Sequence, residues 1–480
     1  MKIFYLFIML CAIISCSDRE EIPSKGNNQP PSQVKFKIEN ISHDSAFISW
    51  EKASDPEGDE VKYTIELDGK IIVENSTDIN CHLKNLEELK SYSGKIIVTD
   101  SHKNITVTTF SFQTKKYYLT FVKDYILPGI ERTFCFEQKI LKLSDGSYLV
   151  GGHVYLHEGF SVFLMKVDYE GNEIWKKNYD IQGESSPETF KMKESKGEII
   201  LTACYTVAKL DLNGNLKWKN RISTYDNGYG DSTINAFVID SEDNIYAVGT
   251  LADRTNEVSE KGIVTKLTKD GVKIWEKQYL SGITETGENS EYLRFVDADI
   301  QDNQLVIFGD IDISGRDVSS NMVRHVFYLL KADTEGRPIS EKTFYNNEIN
   351  LSHQLIKRKN GNYLLSSGKK IIEIDKSGQE LWAKTIYNSY FAPYNIFFSV
   401  SETSAGNILF VGKESSTSFY FLTDSNGNTI WKKYYNASLD YTSVMDAVIE
   451  NDQGFRLTLV CGNNSGEKIM IIKTDPDGNF

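Results

Sequence analysis

The sequence carries no excess of positive charge: 53 Lys and Arg stand against 67 Asp and Glu in 480 residues, a formal net charge of −14. Nucleic-acid binding rests on basic patches, so that partner class is excluded, and a mildly acidic, well-solvated exterior is expected. Cysteine is sparse, six in all, with no CxxC pair. Cys81, Cys135, Cys204 and Cys461 fall in or beside apolar strand-like runs, where buried thiols are expected. They form no disulfide framework; one bridge is compatible with the pattern, and spacing does not pair them. No Gly-rich phosphate loop follows a strand and no nucleophile elbow occurs. Helix signals are scarce, whereas 26 Tyr and 25 Phe favour sheets. A hydrophobic share of 40% is that of a globular chain.

What is present is a repeated phrase: a strand, an acidic or polar turn with Gly, then Trp four residues on. It reads DYEGNEIWKKNY from Asp168, DLNGNLKWKN from Asp211, TKDGVKIWEKQY from Thr268, DKSGQELWAKTIY from Asp375 and DSNGNTIWKKYY from Asp424. Repetition of this kind means stacked copies of one small unit. Each copy is preceded by a second turn and a strand that often ends in Gly, as in SDGSYLVGG, SEDNIYAVGT and SAGNILFVG.

The turn glycines are Gly171, Gly214, Gly271, Gly336, Gly378, Gly427 and Gly478. Four strands per copy at such intervals is the pattern of β-propeller blades, and seven copies give seven blades. The last copy stops before its Trp strand, and YYLTFVKDYIL (Tyr117 to Leu127), with Phe121 near the Trp position, is expected to complete it. Ser340 replaces Trp in the fourth copy, so that blade is expected to pack more loosely. The 117–480 stretch resembles bacterial Trp-repeat propellers, including the pyrroloquinoline-quinone-like group. The Trp itself reads as a packing residue between blades, and no cofactor and no metal are expected.

The first residues read MKIFYLFIMLCAIISC. The apolar run Ile3 to Ile14 falls below the roughly 20 residues of a spanning helix and suits a secretory h-region. Its end, Ile13-Ile14-Ser15-Cys16, resembles the lipobox of bacterial lipoproteins. That resemblance implies cleavage before Cys16, lipid on its thiol, and outer-membrane anchoring. Residues 17–32 are polar and read as a flexible tether. Their acidic start, Ser17-Asp18-Arg19-Glu20-Glu21, resembles surface-export signals of some Gram-negative lipoproteins, which implies the outward-facing leaflet.

Residues 33–116 alternate as short strands between polar turns, an antiparallel sandwich pattern. Trp50, Tyr63 and the run Leu86, Leu89, Tyr92 carry a resemblance to fibronectin type III domains. In that family the Tyr hydroxyl bonds nearby backbone. The acidic run Asp55-Pro56-Glu57-Gly58-Asp59 lacks EF-hand spacing and suits a turn better than a calcium loop. The expected fold class is all-β: a small fibronectin III-like sandwich, then a seven-bladed β-propeller closed by an N-terminal strand.

With strands A to D in each blade, the Gly turns join A to B and C to D on one face. The B–C and D–A connections share the other face and read as long and irregular. They carry Tyr225, Tyr229, Tyr292, Tyr390, Phe391 and Tyr394 among Asp and Asn. Aromatics with neighbouring amides and carboxylates suit a sugar ring or a protein hot spot, or they pack the loops down. Blades three and four carry the longest insertions, so contacts are expected to favour that side. His153 and His157 share i, i+4 spacing, but a strand-loop setting breaks the helical geometry of a metal pair, and His325 and His353 are isolated. The reading is a non-catalytic envelope lipoprotein binding a glycan or an envelope protein. The alternative is a propeller hydrolase or lyase acting on polysaccharide, whose carboxylates the sequence does not single out.

Overall fold

The computed structural model describes residues 28–126, 136–156, 159–181, 189–222, 232–253, 259–280, 292–313, 324–346, 353–367, 370–385, 396–414, 417–435, 441–463 and 466–480. These residues form strands and turns and hold no helix. The chain divides into two compact units, 1–117 and 118–480.

In the first unit the strands are β1 (Phe36–Glu39), β2 (Ala46–Trp50), β3 (Lys62–Leu67), β4 (Lys70–Ser76), β5 (Asn80–Leu83), β6 (Ser91–Thr99) and β7 (Ile105–Gln113). They make two sheets, β1-β2-β5 and β4-β3-β6-β7. Strict alternation sends Ala46, Ile48 and Trp50 from one sheet, and Tyr63, Ile65 and Leu67 from the other, into one core. Trp50 and Tyr63 meet there with ring centroids 5.5 Å apart. The strand β5 is too short to show a period, so the sequence did not reveal it; only Cys81 and Leu83 point inward. The Glu87 N–H donates to the Tyr92 hydroxyl at 2.7 Å. The run from Asp55 is a turn whose Glu57 and Asp59 N–H groups donate to Asp55 Oδ1.

The second unit opens with β8 (Phe121–Tyr125) and continues as successive antiparallel sheets. Sheet 1 is β9 (Phe136–Lys142), β10 (Tyr148–Leu156), β11 (Gly159–Val167) and β12 (Glu173–Tyr179). Sheet 2 is β13 (Phe190–Ser195), β14 (Glu198–Ala203), β15 (Thr206–Asp211) and β16 (Leu216–Arg221). Sheet 3 is β17 (Ser232–Ile239), β18 (Ile245–Asp253), β19 (Ser259–Leu267) and β20 (Lys273–Tyr279). Sheet 4 is β21 (Tyr292–Gln301), β22 (Gln304–Ile313), β23 (Arg324–Asp333) and β24 (Pro338–Asn346); a single parallel bridge, Glu260 to Tyr292, joins it to sheet 3.

Sheet 5 is β25 (His353–Lys357), β26 (Tyr363–Ser367), β27 (Lys370–Ile374) and β28 (Glu380–Thr385). Sheet 6 is β29 (Ile396–Glu402), β30 (Ile408–Glu414), β31 (Thr417–Thr423) and β32 (Thr429–Tyr435). The last sheet is β33 (Tyr441–Ile449), β34 (Phe455–Asn463) and β35 (Gly466–Lys473), and its fourth strand is β8, with Met470 opposite Asp124. The succession is cyclic, because each first strand lies against the first strand of the next sheet and β33 lies against β9.

Two recurrent sequence features now have physical causes. The Gly ending a second strand stands beside a bulge in the first strand: Gly249 pairs with Ile234 and Gly309 with Phe295, and the next residues, Asn235 and Val296, are the extra ones. A Cβ on Gly249 would collide with Thr233 O, and one on Gly309 with Arg294 O. The turn Gly after the third strand of a sheet seats a side chain of the sheet before, a Trp at Gly214, Gly271, Gly336, Gly427 and Gly478. A Cβ on Gly214 would lie 2.8 Å from Trp175, one on Gly271 2.9 Å from Trp218, and one on Gly478 3.0 Å from Trp431. Phe121 does the same over Gly171. Each such Trp is largely covered, and its burial contributes about 2–3 kcal/mol.

The rest of the phrase completes the joint. The Lys two places after Trp donates to the next turn, as Lys177 does to Asn213 O at 2.7 Å and Lys384 to Asn428 Oδ1 at 2.6 Å. The Tyr four places after Trp donates to the Gly carbonyl, Tyr179 to Gly214 O at 2.6 Å and Tyr279 to Gly336 O at 2.8 Å. At the fourth sheet, where Ser340 stands, Leu329 and Lys342 cover Gly378 instead; Leu329 is buried, so this joint is filled rather than left open.

Candidate functional site

The two ends of the sheets differ in what their polar groups do. At the end of the A–B and C–D turns the groups are tied to neighbouring sheets. Arg358 is buried between Glu373 (2.5 Å) and Glu402 (3.1 Å) and donates to the carbonyls of Gly406 and Ser425. Arg456, fully buried, pairs with Glu450 at 2.8 Å, stacks on Tyr148 at 3.6 Å and donates to Asp168 O and Tyr169 O of sheet 1. That set joins the last sheet to the first.

At the other end lie the D–A connections 126–135, 180–189, 222–231, 280–291, 347–352, 386–395 and 436–440. The B–C connections there are not uniformly long. In sheets 1, 2, 5, 6 and 7 they are the dipeptides 157–158, 204–205, 368–369, 415–416 and 464–465, and only sheets 3 and 4 carry longer ones, 254–258 and 314–323.

Between the two ends, the first strands line the axis. One register position recurs in all seven: Lys139, Lys191, Ala236, Asp297, Gln354, Ser399 and Asp446 each pair with the second-strand residue just before the bulge level. Three of these side chains accept a bond from the first strand of the next sheet. Asp297 Oδ2 takes the Leu355 N–H at 3.0 Å, Gln354 Oε1 the Val400 N–H at 3.0 Å, and Asp446 Oδ2 the Ile140 N–H at 2.9 Å. In sheets 1 and 2 the position holds Lys, which donates and cannot accept.

Lys193, two residues beyond Lys191 on β13, belongs to the same side of its strand. Its ammonium lies 5.6 Å from the Phe237 ring centroid of sheet 3. Its side chain is exposed to water, although protein crowds around it. The resulting desolvation holds its pKa below the usual lysine value; Asp297 and Asp299 pull it back up and Lys191 adds to the depression. Asp299 is itself neutralised by Lys357 at 3.0 Å and accepts from Tyr363 at 3.0 Å.

Tyr225, Tyr229, Tyr390, Phe391 and Tyr394 lie outside the described residues, as do Cys16, Cys135 and His157. Tyr292 begins β21 on the D–A end, opposite Asp312, and its side chain is outside the description, as are those of His325 and His353. His153 is fully buried, donates from Nε2 to Thr189 O at 2.9 Å, and meets Phe190 edge-on; it joins sheets 1 and 2. Cys81, Cys204 and Cys461 are buried free thiols. Among the described residues no three His, Cys, Asp or Glu are arranged to hold a metal ion. Sequence reasoning passed over Lys191 and Lys193; the signal was a pair of lysines inside FKMKES, a strand on the axis.

No family model matches this chain, and no curated protein does. Among solved structures it is similar to a polysaccharide lyase, with 11% identity, 74% of this chain and 91% of that one covered, and a TM-score of 0.43. It is similar to an α-L-arabinanase of Penicillium chrysogenum, with 10% identity, 63% and 95% covered, and a TM-score of 0.42. It is also similar to a sialidase of Streptococcus pneumoniae, with 12% identity, 92% of each chain covered, and a TM-score of 0.37. Likenesses this distant carry no argument about what this chain does.

Proposed function

We propose that the chain is an outer-membrane lipoprotein, anchored through Cys16, whose second unit binds a glycan or an envelope protein without catalysis. In this reading residues 33–116 are a fibronectin type III-like spacer. Residues 117–480 are a seven-bladed propeller closed by an N-terminal strand. The spacer reading is supported by the pairing of sheets β1-β2-β5 and β4-β3-β6-β7 and by the Tyr92 hydroxyl bond to backbone. The propeller reading is supported by the cyclic order of first strands and by β8 as fourth strand of the last sheet.

One observation carries the binding side: the turn end of the sheets is bonded to its neighbours through Trp, Lys and Tyr, whereas the D–A end carries the longer connections. Variable contacts collect on connections borne by a rigid frame. Tyr225, Tyr229, Tyr292, Tyr390, Phe391 and Tyr394 are the proposed contacts. The test is a glycan array and an envelope pull-down with the full chain, repeated with Tyr229→Ala, Tyr390→Ala and Phe391→Ala combined. Loss of capture by a folded triple variant is expected; full capture by it contradicts the reading.

A second reading, a hydrolase or lyase acting on polysaccharide, is favoured by one feature, Lys193 near the carboxylates of Asp297 and Asp299, which act on its charge. Release of shortened or unsaturated products from a captured glycan separates it from the first.

A further inference from the structure

We propose that the axial opening binds an acidic group of the ligand, a carboxylate or another oxyanion, on Lys191 and Lys193, so that the preferred glycan is an acidic one. This deepens the glycan-binding reading and rests on it.

Three observations carry it. At the shared register position, Asp297, Gln354 and Asp446 each tie down a backbone N–H of the next sheet, so in three of the sheets the side chain here joins neighbours. Lysine at this position cannot do that job. Second, neither Lys191 nor Lys193 has a hydrogen-bonding or ion-pair partner among the described residues; the contact of Lys193 is the Phe237 ring, 5.6 Å away. Third, the nearest carboxylates are already engaged. Asp297 accepts from Leu355 and Ala298 N–H groups, and Asp299 pairs with Lys357. Asp297 and Asp299 offset part of the Lys193 charge from a distance, and neither is bonded to either ammonium group.

Two ammonium groups on one side of one strand attract an oxyanion together, and protein crowding around Lys193 adds to the gain when an arriving anion replaces its solvation. Lysine recognises such a group as a point charge with rotatable donors, which tolerates a uronate carboxylate, a sulfate ester or a phosphate alike.

Calorimetric titration of the full chain with trigalacturonate, with neutral galactotriose and with inorganic phosphate tests this. The wild-type chain is expected to bind trigalacturonate and not the neutral trimer. K191M/K193M is expected to weaken that binding at least tenfold while unfolding at the wild-type temperature, and K193R to restore most of it. Lysine-dependent binding of phosphate with no capture of any glycan would assign the opening to a free oxyanion and overturn the acidic-glycan assignment. Trigalacturonate bound equally by the folded K191M/K193M variant overturns the axial assignment while leaving the glycan reading in place. No binding of either trigalacturonate or phosphate by the wild-type chain overturns the site.

Discussion

Trp175 of the first sheet stands over Gly214 of the second, so close that a methyl group on Gly214 would lie 2.8 Å from the indole and 2.7 Å from the Tyr179 hydroxyl. Gly214 also holds φ at +74°, a conformation that L side chains adopt at a cost. Gly214→Ala is therefore expected to destabilise by about 2–4 kcal/mol, strain and overpacking combined. Gly146→Ala, at φ +84° with open space around it, should show the strain alone, about 1 kcal/mol. Urea unfolding of the two variants checks the difference; equal losses would mean that the indole is not seated there.

Arg456 is the second joint to test. Fully buried, it pairs with the equally buried Glu450 of its own sheet and reaches Asp168 O, Tyr169 O and the Tyr148 ring of the first sheet. Arg456→Ala leaves that carboxylate without its partner and should cost about 3–5 kcal/mol. Lys217→Ala, which removes an exposed partner of Glu198, should cost under about 1 kcal/mol. Thermal unfolding ranks the two, and a mild effect at Arg456 would argue against a closed junction.

Acid should loosen the turn end first. Burial works against the charge on Asp145, but the Lys166 ammonium at 2.7 Å and the Ser147 hydroxyl and amide outweigh it and hold the carboxyl down at about 2. A depressed folded pKa stabilises above the unfolded value near 4 and is lost as pH falls through the folded one. Stability should therefore decline between about pH 4 and pH 2, and Asp145→Asn should make that decline shallower. The Asp145 side chain is 41% exposed, so its share at pH 7 is small. A slope unchanged in the variant contradicts the assignment.

Thiol chemistry offers a further check. Burial, with a smaller push from Asp124, raises the Cys461 thiol to about 11. The thiolate is the reactive form, so native protein at pH 8 should leave the peptide containing Cys461 unlabelled by iodoacetamide, and denatured protein should label it. Labelling in the native state would place Cys461 outside the core.

The Asp-Gly-Trp phrase was legible because each sheet buries its own residues in the next, so one contact must be written again in every copy. The strand-ending glycines were legible as a pattern but not as a cause, since Thr233 O and Arg294 O, which exclude a side chain there, belong to another strand. Lys193 was not legible at all: its environment exists only once Phe237, Asp297 and Asp299 are brought round the axis, and no local period encodes that. The B–C connections misled because tight dipeptides such as 204–205 and the long 314–323 occupy the same place in the repeat.

The most direct measurement is hydrogen exchange on the full chain with and without its captured ligand. Protection is expected in peptides spanning 223–231, 281–291 and 386–395 and in the first strand β13. Protection confined to the turn peptides around Gly171, Gly214 and Gly427 would contradict the account, because those groups are already bonded to the neighbouring sheets.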